Sequence, residues 1–312
     1  MRVLFIGTGE IGLPTLEWLL QTPKHEVVGV VTQPDKPVGR KLVLTPPQVK
    51  VRALAAGLPV IQPQKIRHAV AELQAFQADI AVVVAYGQIL SRAVLEVPPL
   101  GCLNIHASLL PRYRGASPIQ AALREGDAET GVTIMFMDEG LDTGDILLMD
   151  RLAILPTDTG GSLHDKLALA APASLEKALD LIAVGNPPRV PQDHAASTHC
   201  GKLKREEGRL DWSRPAQELE LLIRAYQPWP GTFAVLPGER PAPLKVHRAT
   251  VLPGAEACPI PGTVVSAEAK SGLILACGQG LLRLEEVQAE GGKRLPAADF
   301  LRGHPVEVGS RW

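Results

Sequence analysis

Residues 2–20 read RVLFIGTGEIGLPTLEWLL. The apolar run Val3–Ile6 enters a glycine-rich turn, Gly7-Thr8-Gly9-Glu10-Ile11-Gly12, and apolar residues at helical spacing follow from Leu13 to Leu20. Strand, G-x-G-x-x-G turn and helix, in that order, open a βαβ unit of the dinucleotide-binding type. The rhythm continues outward. Val27–Val31 is a second β-branched run, and Ile80–Tyr86, IAVVVAY, is apolar without alternation, as suits a parallel strand covered on both faces. A helix to about Gly57, a short strand at Pro59–Gln62, strands at Cys102–Ser108, Val132–Met137 and Ile146–Ile154, and a long helix over 161–183 complete the pattern. Residues 33–48, QPDKPVGRKLVLTPPQ, hold four prolines and read as a long loop. The alternation predicts an α/β fold with a doubly wound parallel sheet.

After Gly185 the texture changes to proline and charge, GNPPRVPQDHAASTHCGKLKREEG. A short helix at 219–225 follows, then strand-like runs at 232–236, 243–251, 262–267, 272–276 and 281–287, closely punctuated by Gly and Pro. That spacing predicts a small β barrel, with a last helix near 297–302. The expected organisation is a domain over 1–189, a linker over 190–208 and a second domain over 209–312.

Composition sets bounds. Of the 312 residues 46% are apolar, enough for a sizeable core, and the formal net charge is −1, so any nucleic-acid surface must be a local patch. Cys102, Cys200, Cys258 and Cys277 are scattered without C-x-x-C spacing, which predicts neither a structural metal nor a disulfide framework. With no leader pattern and no apolar run of spanning length, the expectation is a cytoplasmic protein without a membrane partner.

The glycine turn by itself suggests NAD. An NAD site also needs an acidic residue at the end of the second strand to hold the ribose. Here Thr32-Gln33-Pro34 follow Val31, and Asp35 lies past the strand in the proline-rich loop. No NAD is expected.

The stretch CLNIHASLLPRYRGASPI, 102–119, carries more chemistry. Side chains alternate along a strand, so Asn104, His106 and Ser108 share one face. An amide and an imidazole inside such a sheet cost free energy unless hydrogen-bonded. They sit where the strand ends, and ligands of open α/β sheets bind outside the carboxyl ends of strands. A satisfied polar core network is the alternative. In MDEGLDTGDILL, 137–148, Asp142 lies in a turn between two apolar strands. Asp142-Thr143-Gly144 recurs as Asp158-Thr159-Gly160, but the copies lack paired β lobes, and the second starts a helix with Thr157 or Asp158 as cap.

Asn104-x-His106, the SLLPRYRGASPI loop and GLDTGD together resemble the formyltransferases that use 10-formyltetrahydrofolate. TQPDKPVGR, ETGVTIMFMDEGLDTGD, KLKREEGRLDW and RAYQPWPG extend the resemblance over nearly the whole chain. Gly9 and Ile11 depart from it, since the family commonly has proline and an aromatic there. The resemblance implies a Rossmann-like catalytic domain, an OB-like C-terminal domain, and transfer of formyl from 10-formyltetrahydrofolate to the α-amino group of methionine on initiator tRNA. No metal is implied.

Acyl transfer between nitrogens requires a donor for the developing oxyanion and a way to move protons. Asn104 suits the first, His106 the second, and Asp142 can orient the imidazole. The folate is expected along Ser108, Leu109, Leu110, Pro111 and Asp138. Lys36, Arg40 and Lys41 in the proline-rich loop, with Lys202, Lys204 and Arg205 in the linker, are the expected tRNA contacts, Arg40 as a wedge at the acceptor end. A monomer is expected.

Overall fold

The computed structural model describes residues 1–39, 41–236, 242–253, 260–268 and 270–312. In chain order the elements are β1 (Arg2–Gly7), α1 (Leu13–Gln21), β2 (Glu26–Val31), β3 (Lys36–Val38), β4 (Val43–Thr45), α2 (Gln48–Ala55), β5 (Val60–Ile61), α3 (Val70–Ala75), β6 (Ile80–Val84), α4 (Arg92–Leu95), β7 (Cys102–His106), β8 (Arg114–Gly115), α5 (Pro118–Arg124), β9 (Glu129–Phe136), β10 (Ile146–Ala153), α6 (Gly160–Ala183) and β11 (His199–Cys200). Then come α7 (Ala216–Ala225), β12 (Thr232–Leu236), β13 (Ala242–Leu252), β14 (Val264–Glu268), β15 (Gly272–Ala276), β16 (Leu281–Ala289), β17 (Leu295–Pro296) and α8 (Ala297–Gly303).

The chain divides into two compact units, one of residues 1–118, 129–153 and 164–201, the other of 119–128, 154–163 and 202–312. The expected boundary at 189 follows composition, whereas packing follows space. Arg124 Nη1 donates to Tyr226 Oη (3.2 Å), and the Gly161 N–H donates to the Gln227 carbonyl (2.8 Å), so two stretches of early sequence belong with late residues.

The first unit is built on a seven-stranded sheet, β10-β9-β7-β6-β1-β2-β5. Strands β1, β2, β5, β6 and β7 run parallel, as their apolar runs predict, but β9 runs antiparallel to both of its neighbours, β7 and β10. The sheet is therefore mixed. The turn at 137–145 joins β9 directly to β10, and a direct turn can only reverse the chain. One face of the parallel strands packs Leu4, Ile6, Ala81, Val83 and Cys102 against Ile66, Leu73, Leu90 and Val94. Each of the larger aliphatic side chains contributes about 1.5–3 kcal/mol on burial.

Packing accounts for the glycine turn. A Cβ on Gly7 would stand 2.7 Å from the Phe5 ring and 2.9 Å from the Val84 carbonyl oxygen, and one on Gly12 would stand 3.2 Å from both side chains. The Gly9 N–H donates to the Ala85 carbonyl (3.2 Å). Asp35 is held by Lys50 Nζ (2.8 Å) and Gln62 Nε2 (2.7 Å), and these bonds, Gln62 first, keep its carboxyl below the usual aspartate range. The region 33–48 is more than a loop: β3 and β4 pair as a hairpin, with Gly39 (φ 73°) and Leu42 (φ 49°) turning the chain.

In the second unit the sheet follows the path β12-β13-β16-β15-β14, antiparallel throughout, with β17 on β16. The described pairings leave this path open, so they do not form the closed barrel expected from the turn spacing. Helix α7 buries Leu219, Leu222 and Ile223, and α8 buries Phe300. The cap before α6 is Thr159, whose Oγ1 accepts from the Ser162 N–H (3.2 Å), rather than Thr157 or Asp158. Asp158 instead accepts from the Leu155 N–H (2.7 Å). Among the described residues no helix is long and apolar enough to cross a membrane.

Gly7→Ala tests the packing role of the glycine turn. The added methyl is expected to lower unfolding stability by ~1–3 kcal/mol, read as a reduced urea midpoint.

Candidate active site

Strand β7 lies between β6 and β9, and all five of its residues are buried. Its alternation puts Cys102, Asn104 and His106 on one side. Cys102 faces apolar neighbours near the strand's start, and Asn104 and His106 come at its carboxyl end. Asn104 pairs with Val83 on one neighbour and Met135 on the other, and His106 pairs with Thr133. The strand stops there, and the chain bends at Ala107 and Ser108, two residues short of the expected strand end.

Asp142 meets this row from the turn between β9 and β10. Its backbone is left-handed, with φ 54°, an uncommon conformation that Asp tolerates better than most residues. Its Oδ1 accepts from Asn104 Nδ2 (3.1 Å) and its Oδ2 from the Gly115 N–H (2.8 Å). His106 Nδ1 stands 3.7 Å from Oδ2, too far for a hydrogen bond and close enough for an ion pair once protonated. His106 Nε2 lies 2.9 Å from the Tyr113 carbonyl oxygen. A carbonyl only accepts, so Nε2 carries the hydrogen and the neutral ring keeps its lone pair on Nδ1. Asn104 and His106 are 9% and 6% exposed, which strengthens each polar contact against competition from water.

The loop 107–117 is fastened from below. Thr133 Oγ1 donates to the Ser108 carbonyl (2.6 Å) and accepts from the Leu110 N–H (3.2 Å). Ser108 is fully buried and its hydroxyl donates to the Arg112 carbonyl (2.7 Å), so its side chain shapes the loop. Leu110 packs with Met135 and Ile146. Leu109 and Pro111 are half-buried, and Asp138 is exposed, accepting from the Gly140 N–H (3.0 Å) and Thr143 Oγ1 (2.6 Å). Asp138 thereby shapes the turn that carries Asp142. Gly115 has φ 119°, and a Cβ there would stand 2.1 Å from the Cys200 carbonyl oxygen, so only glycine fits.

The remaining candidates are distributed. Lys36 and Lys41 are exposed on the 36–45 hairpin, whose tip also exposes Leu42, Val43 and Leu44; Arg40 lies outside the described residues. Lys202, Lys204 and Arg205 are exposed in the second unit. The sequence reading missed Thr133, Arg114 and Gln192, and also the backbone groups of Tyr113 and Gly115. Arg114 is 3% exposed, and nothing local in SLLPRYRGASPI distinguishes it from Arg112. Among the described residues no group of three or more His, Cys, Asp or Glu side chains is gathered to hold a metal.

Burial pushes the Cys102 thiol up to about 12, so it stays protonated and unreactive at neutral pH. Cys102→Ala is therefore expected to keep catalytic turnover within about twofold of wild type. The native thiol should also resist alkylation between pH 7 and 9, well below its folded pKa. A Cys102→Ala protein that folds and has lost turnover would make the thiol a participant.

Comparison with known proteins bears on this site. The Formyl transferase family matches residues 1–179, and the Formyl transferase, C-terminal domain family matches 202–305. The chain is 48% identical to the methionyl-tRNA formyltransferase of Symbiobacterium thermophilum, over 100% of this chain and 95% of that one. It is 49% identical to the methionyl-tRNA formyltransferase of Xanthomonas axonopodis pv. citri, over 96% and 97%. The fold is shared with HypX from Aquifex aeolicus in complex with tetrahydrofolic acid, with TM-score 0.62 and 18% identity. That likeness covers 96% of this chain and 47% of HypX, so the chain spans about half the length of that protein. On the two family matches and the full-length identities, the chain belongs to the methionyl-tRNA formyltransferases.

Proposed function

We propose that the protein transfers a formyl group from 10-formyltetrahydrofolate to the α-amino group of methionine on initiator Met-tRNA, using Asn104, His106 and Asp142. The observation that carries this reading is the constellation itself: an amide hydrogen-bonded to a carboxylate, with an imidazole Nδ1 3.7 Å from that carboxylate, at a strand end. One Asn104 amide hydrogen is engaged by Asp142, which leaves the other for the formyl oxygen as negative charge develops there. A single preorganised donor of this kind contributes about 3–4 kcal/mol in a transition state. His106 Nδ1 takes the proton lost by the attacking amine, with the Asp142 carboxylate beside it to balance the charge, and returns it to the departing nitrogen. The amine has a pKa of about 8 or lower, so a shuttle suffices and a strong base is unnecessary.

In this reading the folate lies along Leu109, Leu110, Pro111 and the 138–142 turn, with Ser108 and Asp138 shaping that edge. Residues 1–189 carry the catalytic site, and 209–312 form an OB-like domain that binds tRNA. Lys36, Arg40 and Lys41 engage the acceptor end, with Arg40 as a wedge against the terminal pair, and Lys202, Lys204 and Arg205 engage phosphates. The protein acts as a cytoplasmic monomer.

Formyl transfer to charged initiator Met-tRNA, with uncharged tRNA as control, tests the reaction. Asn104→Ala is expected to lower kcat by about 10²–10³-fold. His106→Ala and Asp142→Ala should lower turnover far more than tRNA affinity, and equal losses in both would overturn their assignment. Lys36→Ala and Lys41→Ala should each weaken tRNA binding and reduce the salt slope by about one, measured by titration at several ionic strengths.

A further inference from the structure

Gln192 lies in the segment expected to be a linker, yet residues 190–200 are woven into the first unit. The Val190 and Ile146 backbones exchange two hydrogen bonds of 2.9 Å. Strand β11 runs parallel to β8, with the Arg114 N–H on the Thr198 carbonyl and the Ala116 N–H on the Cys200 carbonyl, both 2.9 Å. Between these two stitches Gln192 is 6% exposed. Its Nε2 donates to the carbonyls of Asp142 (3.0 Å) and Gly144 (2.7 Å). Its Oε1 accepts from Arg114 Nε (3.1 Å) and Nη2 (2.7 Å), and Nη2 also lies 3.2 Å from His194 Nδ1.

The amide orientation is forced. Two carbonyls face one side and two guanidinium donors the other, so a flipped amide would set like against like on both sides. Glutamate could keep the Arg114 contacts but would turn an oxygen toward two carbonyls. The side chain therefore grips the backbone on both sides of Thr143, at the residue whose carboxylate organises the site. The grip matters because Asp142 holds a left-handed backbone (φ 54°) that an aspartate leaves readily when unsupported.

We infer that Gln192, braced by the buried Arg114, is a positioning residue for formyl transfer: it clamps the Asp142 turn so that the carboxylate reaches Asn104, Gly115 and His106 together. The inference rests on the proposed reaction. Neither side chain need touch substrate, and both act through Asp142.

Gln192→Glu keeps the size and the Arg114 pair while removing both donors. Its kcat is expected to fall about 10- to 100-fold, the loss that ångström-scale misplacement produces. KM for the formyl donor and for Met-tRNA should stay within about twofold. In an Asp142→Asn background the same change should cost less than about twofold more, because the group it positions is already disabled. Amide hydrogen exchange at Gly115 reads the clamp without catalysis and should quicken in Gln192→Glu, since that N–H donates to Asp142 Oδ2. Gln192→Met serves if Gln192→Glu does not fold. Wild-type kcat with unchanged Gly115 exchange, or fully additive losses in the double variant, would overturn the inference. Failure of the wild-type protein to transfer formyl would instead overturn the reaction, and Gly115 exchange would still decide the clamp.

Discussion

The Asp142 carboxylate is the junction on which the site depends. One oxygen accepts from Asn104 at the end of β7, and the other accepts from the Gly115 backbone and faces His106. Three pieces of chain meet there: the central strand, the loop after it and the turn between the antiparallel strands. A buried carboxylate is costly unless its lone pairs are occupied, and these contacts occupy them. The same contacts fix the orientation of the Asn104 amide, so satisfying the carboxylate and positioning the amide are one event.

The mixed sheet sets the route by which the Asp142 turn reaches the junction. Reversal of β9 against β7 pairs Asn104 with Met135 and His106 with Thr133, so β9 leaves the sheet beside the start of β7, where the Met137 N–H donates to the Cys102 carbonyl (2.8 Å), and the 137–145 turn folds back to bring Asp142 to Asn104. Thr133 then holds the loop beneath Leu110, and Gln192 holds the turn from the far side. Antiparallel pairing of β9 thus sets Thr133 beside His106, and the length of the 137–145 turn lets Asp142 return to Asn104.

The glycine turn shows one backbone device serving a different end. In a dinucleotide site such glycines let a pyrophosphate approach the helix start. Here Gly7 and Gly12 admit Phe5 and Val84, the Gly9 N–H is taken by Ala85, and the first acidic residue after β2, Asp35, is paired with Lys50 and Gln62. The shared requirement is close approach without a Cβ. The thing that approaches is decided by the next strand, and a motif by itself does not report it.

Local pattern carries much of this protein. The unbroken apolar run of β6, the helical spacing of α6 and the alternation that places Asn104 and His106 on one face are consequences of neighbouring residues, and they are legible in the chain. So is the choice of chemistry, because an amide and an imidazole at a strand end have few inexpensive uses. Other features depend on contacts between distant residues. The hairpin at 36–45 hides behind prolines, β9 and β10 have the same residue preferences in either direction, and Arg114 reads like its exposed neighbour Arg112. Gln192 sits among prolines and charges that look like a tether. Sequence alone determined the principal strands of the sheet, the long helix and which side chains could carry the reaction. Tertiary structure decided strand direction at the sheet edge, the burial of Arg114, and the meeting of Asn104, Asp142 and Gln192, because those depend on hydrogen bonds between residues tens of positions apart, which local propensity does not encode.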